Sequence, residues 1–366
     1  MNTHLRAAIG EAMLRLRTTD VAGATAAIQQ ALAGQPASTR QKPEGGKPDE
    51  AGLKASFPRR LGEVLQSLRA SKAQFAPNQR EAERPPAPDE SDGRFRTRSF
   101  RNTAGSSRYK LYVPAAHADR NLALVVMLHG CTQDPDDFAR GTRMNALADE
   151  FGLIVAYPHQ PLSANAQGCW NWFDARHQRR GAGEPAVLAG LAEALAKEFG
   201  IDHARVFVAG LSAGGAMADV LASAYPDVFS AAGIHSGLPH GSASDVMSAF
   251  AAMKGSAKAA SPKRETPCRT IIIHGTADAT VHPSNGETLF DRSRDRTSQE
   301  LTTETTVNGR RVTRTLLAPD AGPTIAEYWV VQGGGHAWSG GGSKGSFTDS
   351  TGPDASREMI RFFLER

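Results

Sequence analysis

Apolar positions change their spacing twice along this chain. In residues 1–33, Leu5, Ile9, Met13 and Leu16, then Val21, Ala24, Ile28, Ala31 and Leu32, recur at intervals of three and four. That spacing predicts one or two short amphipathic helices, with Asp20 as a cap for the second. Residues 34–93 lose the pattern. Gln35-Pro36-Ala37-Ser38 and Arg84-Pro85-Pro86-Ala87-Pro88 cannot build a core and predict a flexible linker. Leu61, Val64, Leu65 and Leu68 interrupt it as one short helix. Over residues 94–366 short apolar runs alternate with helical patterns, and this stretch is expected to be the compact domain. Strands are predicted at 109–113, 122–128, 153–157, 206–209, 231–234, 270–273 and 326–331. Helices are predicted at 144–151, 186–199, 215–221 and 354–364. Apolar strands alternating with helices indicate an α/β fold, a mostly parallel sheet with helices on both faces.

Composition adds mainly exclusions. The chain has 366 residues, 40% of them hydrophobic and 22% charged, with a formal net charge of +4. The positive charges are scattered rather than striped, which argues against nucleic acid as a partner. There are three cysteines, and none forms a C-x-x-C, so a structural zinc site is not expected. No apolar run approaches the roughly 20 residues of a membrane span. Arg6, Glu11, Arg15 and Arg17 interrupt the first residues, and no signal peptide is visible there.

Chemistry is concentrated in Gly210-Leu211-Ser212-Ala213-Gly214. This G-x-S-x-G pentapeptide follows an apolar strand and precedes a helix, the context of a nucleophile elbow. Serine needs a base, and the base needs an orienting carboxylate. In an α/β-hydrolase the order is Ser, then Asp or Glu, then His, each on a loop after a strand. Asp278, past the strand ending at Ile273, fits the acid. His336, in Gly333-Gly334-Gly335-His336-Ala337-Trp338, fits the base. His235 and His240 precede Asp278 and fit the order less well; His129 and His274 sit at strand ends. An oxyanion hole needs two backbone donors. Ala213 supplies one candidate amide and Cys131, after Leu128-His129-Gly130, the other.

Five motifs in order strengthen this: His129-Gly130-Cys131, Cys169-Trp170-Asn171-Trp172-Phe173, Gly210-Leu211-Ser212-Ala213-Gly214-Gly215, His274-Gly275-Thr276-Ala277-Asp278 and Gly335-His336-Ala337-Trp338. Together, over residues 95 to 366, they resemble the polyhydroxybutyrate depolymerase family of esterases, which includes feruloyl and acetylxylan esterases. The resemblance implies an α/β-hydrolase fold and ester hydrolysis through an acyl-enzyme. It implies a triad of Ser212, Asp278 and His336, oxyanion amides at Cys131 and Ala213, and substrate contacts from Trp172 and Trp338. It also implies a Cys131–Cys169 disulfide, leaving Cys268 as a buried thiol. No metal or organic cofactor is called for. The substrate expected is a hydroxyalkanoate oligomer or short-chain ester, polymeric or small, with polysaccharide feruloyl or acetyl esters as the alternative. From a different class, the alternative is a non-catalytic granule-binding protein. The N-terminal helices are expected to serve granule docking or self-association. Without a visible signal peptide a cytoplasmic location is favoured; a disulfide favours an extracellular one.

Overall fold

Strands that are apolar on both faces need a cover on both faces, and this chain supplies it. The computed structural model describes residues 94–115, 121–256, 268–294 and 298–365. The helices and linker expected in residues 1–93 lie outside the described residues. In chain order the strands are β1 (Phe95–Asn102), β2 (Gly105–Tyr112), β3 (Ala123–Leu128), β4 (Leu153–Pro158) and β5 (Val206–Leu211). They continue as β6 (Ala231–His235), β7 (Arg269–Gly275), β8 (Gln299–Val307), β9 (Arg310–Ala318) and β10 (Ala326–Val331). The helices are α1 (Pro135–Thr142), α2 (Met144–Phe151), α3 (Gly183–Phe199), α4 (Ala213–Ala224), α5 (Val246–Met253), α6 (Ser284–Asp291) and α7 (Ala355–Leu364).

One ten-stranded sheet has the order β1-β2-β4-β3-β5-β6-β7-β10-β9-β8. Neighbours from β4 through β10 are parallel. Antiparallel pairs close both edges. Successive side chains on a strand point to opposite faces. Leu124, Val126 and Leu128 of β3 accordingly pack with Leu188 and Leu191 of α3 and Met217 and Leu221 of α4. Val125 and Met127 of the same strand pack with Met144 and Leu147 of α2 and Met359 and Ile360 of α7. Both faces of the central strands are therefore core.

Each strand predicted within 94–366 is present, as are the four predicted helices. Missing from the prediction are β1, β8, β9, α1, α5 and α6. The β8–β9 hairpin is the largest omission. Seven of the nine β8 residues are Gln, Glu or Thr, and its side chains are exposed until Val307, so no apolar alternation marks it. Its turn did carry a signal. Asn308 (φ 44) and Gly309 (φ 80) both adopt positive φ, as a two-residue type I′ turn requires. Cys268 is the expected buried thiol outside the disulfide, just before β7, with its Sγ donating to the Phe229 carbonyl at 3.2 Å. Among the described residues no helix is long and apolar enough to cross a membrane.

Candidate active site

Ser212 stands between the last residue of β5 and the first of α4, with φ 58 and ψ −119. A non-glycine residue there is strained by roughly 1–3 kcal/mol and persists only where its surroundings hold it. The Ser212 amide donates to the His235 carbonyl of β6 at 2.9 Å, and its own carbonyl accepts from the Ala216 amide at 2.9 Å. The flanking glycines are required by close approach. A Cβ on Gly210 would lie 2.4 Å from the backbone of Gly214, and one on Gly214 would lie 2.0 Å from the Leu128 carbonyl oxygen. The pentapeptide is thus the tight strand-to-helix turn that its sequence predicts.

The loops that carry Asp278 and His336 leave the parallel neighbours β7 and β10. Their backbones touch: the Ala277 amide donates to the Gly334 carbonyl at 2.9 Å. A side chain on Gly275 would come within 2.2 Å of that same oxygen. Asp278 is 5% exposed. Its Oδ1 accepts from the Thr280 amide at 2.9 Å and the Val281 amide at 2.8 Å. Its Oδ2 accepts from His336 Nδ1 at 2.8 Å, with His274 Nε2 at 3.4 Å. Burial alone would raise the Asp278 pKa. The positive potential of His336 and hydrogen bonds from His274 and His336 outweigh it and hold the carboxyl well below the ordinary range. With Nδ1 committed to Asp278, Nε2 is the His336 nitrogen left for proton transfer. Among the described residues no hydrogen bond joins it to Ser212 Oγ, a contact that often tightens only with substrate bound.

The turn after β3 lies beside Ser212 because Leu128 is in register with Gly210. A Cβ on Gly130 would be 3.7 Å from Ser212 Cβ. Side chains hold this turn. Buried His129 donates from Nδ1 to the Gly130 carbonyl at 2.8 Å and accepts at Nε2 from the Gln160 amide at 3.2 Å. Burial pushes its pKa down to about 4, so the ring is neutral. The Gly130 amide donates to Gln133 Oε1 at 2.9 Å, and Trp170 Nε1 donates to the His129 carbonyl at 3.1 Å. A disulfide joins Cys131 to Cys169. Gln160 Nε2 donates to the Cys169 carbonyl at 3.0 Å and to Glu184 Oε1 at 2.6 Å. Glu184 Oε2 also accepts from the Asn171 amide at 2.8 Å. Among the described residues the amides of Cys131 and Ala213 donate to no acceptor.

The two tryptophans differ in exposure and contacts. Trp172 is 6% exposed and meets Phe173 edge to face. Trp338 is 1% exposed, packed between Phe138 and His235, with Nε1 donating to Ser356 Oγ. Its indole has no free face. Sequence reasoning missed Gln133, Gln160 and Glu184, because polar residues that hold a loop from other segments leave no local spacing to read. Glu184 opening the 17-residue helix α3 was the one available hint.

A family model described as esterase PHB depolymerase matches residues 107–296. The chain is 33% identical over 199 residues to poly(3-hydroxyalkanoate) depolymerase C of Paucimonas lemoignei, covering 51% of this chain and 48% of that protein. It is 35% identical over 134 residues to feruloyl esterase B of Neurospora crassa, covering 36% and 44%. It thus spans about half the length of the curated relatives it matches. Among solved structures it is similar to an acetyl xylan esterase from Aspergillus awamori, with a TM-score of 0.51 at 22% identity over 70% of this chain and 93% of that one. That last likeness concerns the fold, which is the α/β-hydrolase fold.

Proposed function

The chain belongs to the esterase PHB depolymerase family, and from that premise we propose that it is a serine esterase cleaving carboxylic esters through an acyl-enzyme. The observation that carries this reading is the 2.8 Å hydrogen bond from His336 to buried Asp278, in a chain whose Ser212 occupies a strained elbow. Ser212 Oγ attacks the ester carbonyl carbon while His336 Nε2 takes its proton. The carbonyl oxygen becomes an oxyanion held by the Cys131 and Ala213 amides; losing one such donor typically costs about 10²–10³ in kcat. Asp278 fixes the His336 tautomer and stabilises the imidazolium. The intermediate collapses, the carbon–alkoxy bond breaks, and His336 delivers the proton to the leaving alcohol. Water then attacks the acyl-serine, gives its proton to His336, and the acid departs as Ser212 regains its hydrogen. Trp172 is the side chain assigned to substrate contact; Trp338 is assigned to support of His235 instead.

The substrate class proposed is a hydroxyalkanoate oligomer or short-chain acyl ester. Ser212→Ala should abolish hydrolysis of p-nitrophenyl butyrate while circular dichroism is unchanged, and full retained activity would sink the assignment. A fluorophosphonate probe should label Ser212, which a non-catalytic granule-binding protein would not permit. Clearing of a polyhydroxybutyrate suspension with little feruloyl activity supports the substrate class. The opposite pattern moves it to polysaccharide esters.

A further inference from the structure

We propose that His235 is a positioning residue that sets the nucleophile, acid and base loops relative to one another. This rests on the serine esterase reading above. His235 ends β6, the strand between β5 and β7. Its carbonyl accepts the Ser212 amide at 2.9 Å, which fixes the strained elbow from outside. The next residue, Ser236, donates its amide to the carbonyl of Ile273 at 2.9 Å, on the strand that leads to Asp278. The imidazole reaches the third loop. His235 Nε2 lies 3.0 Å from the Ser339 amide, three residues past His336.

Polarity fixes the tautomer. A backbone amide only donates, so Nε2 accepts and the ring proton sits on Nδ1. Nδ1 then donates to Ser236 Oγ at 3.2 Å. The ring is 2% exposed and stacks on Trp338 at 5.1 Å between centroids, inclined by 24°. Three titratable groups act on it: His274 and His336 disfavour its protonation and Asp278 favours it. Burial dominates and pushes its pKa down to about 3. The imidazole is therefore a neutral acceptor wherever the esterase works, and it takes no proton from Ser212. Its contribution is the spacing between Ser212 and the loop that carries His336. Misplacing reacting groups by about 1 Å can cost on the order of 100-fold in rate.

The test compares His235→Leu, which removes the acceptor, with His235→Gln, whose Oε1 is as many bonds from Cβ as Nε2. Each protein is titrated with a fluorophosphonate, giving the fraction of sites that react and the rate at which they do. Kinetics with p-nitrophenyl butyrate give kcat and KM. The expected result for His235→Leu is a labelled fraction near that of the wild type, with labelling rate and kcat both about 100-fold lower and KM within about twofold. His235→Gln should recover most of the rate. If His235→Leu labels and turns over at the wild-type rate, the proposal fails. If the labelled fraction falls while the remaining sites keep their rate, His235 serves folding only, and the proposal is again overturned. Failure of the wild type to label at Ser212 would instead overturn the esterase reading itself.

Discussion

The Ser212 elbow and the turn proposed to hold the oxyanion leave adjacent parallel strands, yet they are built by different means. The elbow is fixed by backbone: a positive φ at Ser212, two glycines with no room for a Cβ, and a hydrogen bond from the Ser212 amide to β6. The Gly130–Cys131 turn is held largely by side chains: by Gln133 and Trp170, by the ring of His129, which accepts the Gln160 backbone amide, and by a disulfide. A backbone device has one geometry and fails at the first extra methyl group. A side-chain device is graded, because each tie can be removed, protonated or reduced separately. Perturbations of the two regions should therefore differ in kind.

The sharpest break is Gly214→Ala. Its Cβ would sit 2.0 Å from the oxygen and 2.6 Å from the carbon of the Leu128 carbonyl, both backbone atoms. Strand β3 and helix α4 would have to separate in the middle of the core. Soluble folded protein should be lost, read as absent cooperative unfolding and absent fluorophosphonate labelling. A folded, labelled Gly214→Ala protein would remove the basis of the comparison. Next in size is Asp278→Asn, which keeps the shape but presents the wrong hydrogen-bonding partner to His336 Nδ1. A fall of about 10⁴-fold in kcat is expected, with Tm measured alongside to separate chemistry from stability. A loss below tenfold would show that Asp278 does not orient the base.

The same division explains what could be read from the sequence. Gly210, Ser212 and Gly214 are legible because a backbone device demands particular residues at fixed neighbouring positions. Asp278 and His336 are legible because each follows an apolar strand by a few residues, in a set order. Glu184 and Gln133 carry no such mark, since their partners lie in other loops and only the folded chain joins them. His235 was set aside because it precedes Asp278, an argument that tests for a base and is blind to an acceptor. The polar strand β8 escaped for a different reason: at a sheet edge exposed on both faces, burial imposes no period on the side chains.

Acid should weaken the side-chain-built turn first. His129 has its pKa lowered from 6.5 to about 4 by burial. Below pH 6.5 the unfolded chain binds a proton that the folded ring refuses, so the stabilisation is complete above 6.5 and declines as pH falls toward 4. The loss from this one group is about 3 kcal/mol over that window. In His129→Gln the same decline should be shallower by about 2 kcal/mol between pH 7 and pH 4.5, measured by urea unfolding at the two pH values. An identical pH dependence in the two proteins would mean that His129 is protonated in the folded state.

The smallest expected effect separates the two ties on the Cys131 loop. Glu184 accepts from Gln160 and Asn171, and Gln160 in turn holds the Cys169 carbonyl. In Glu184→Gln one of the two carboxylate oxygens becomes a donor facing other donors, so the frame around Cys169 loosens while the disulfide still restrains Cys131. A drop of about tenfold in kcat/KM is expected, the loss of roughly 1.4 kcal/mol of transition-state stabilisation. Replacing Cys131 and Cys169 by Ser removes the other tie and should cost a similar factor. If both ties act on the Cys131 amide, the combined variant loses more than the product of the two factors, because each tie compensates for the other's absence. Losses that simply multiply would mean that the two act on separate parts of the loop. The Glu184 frame would then support Trp172 rather than the oxyanion turn.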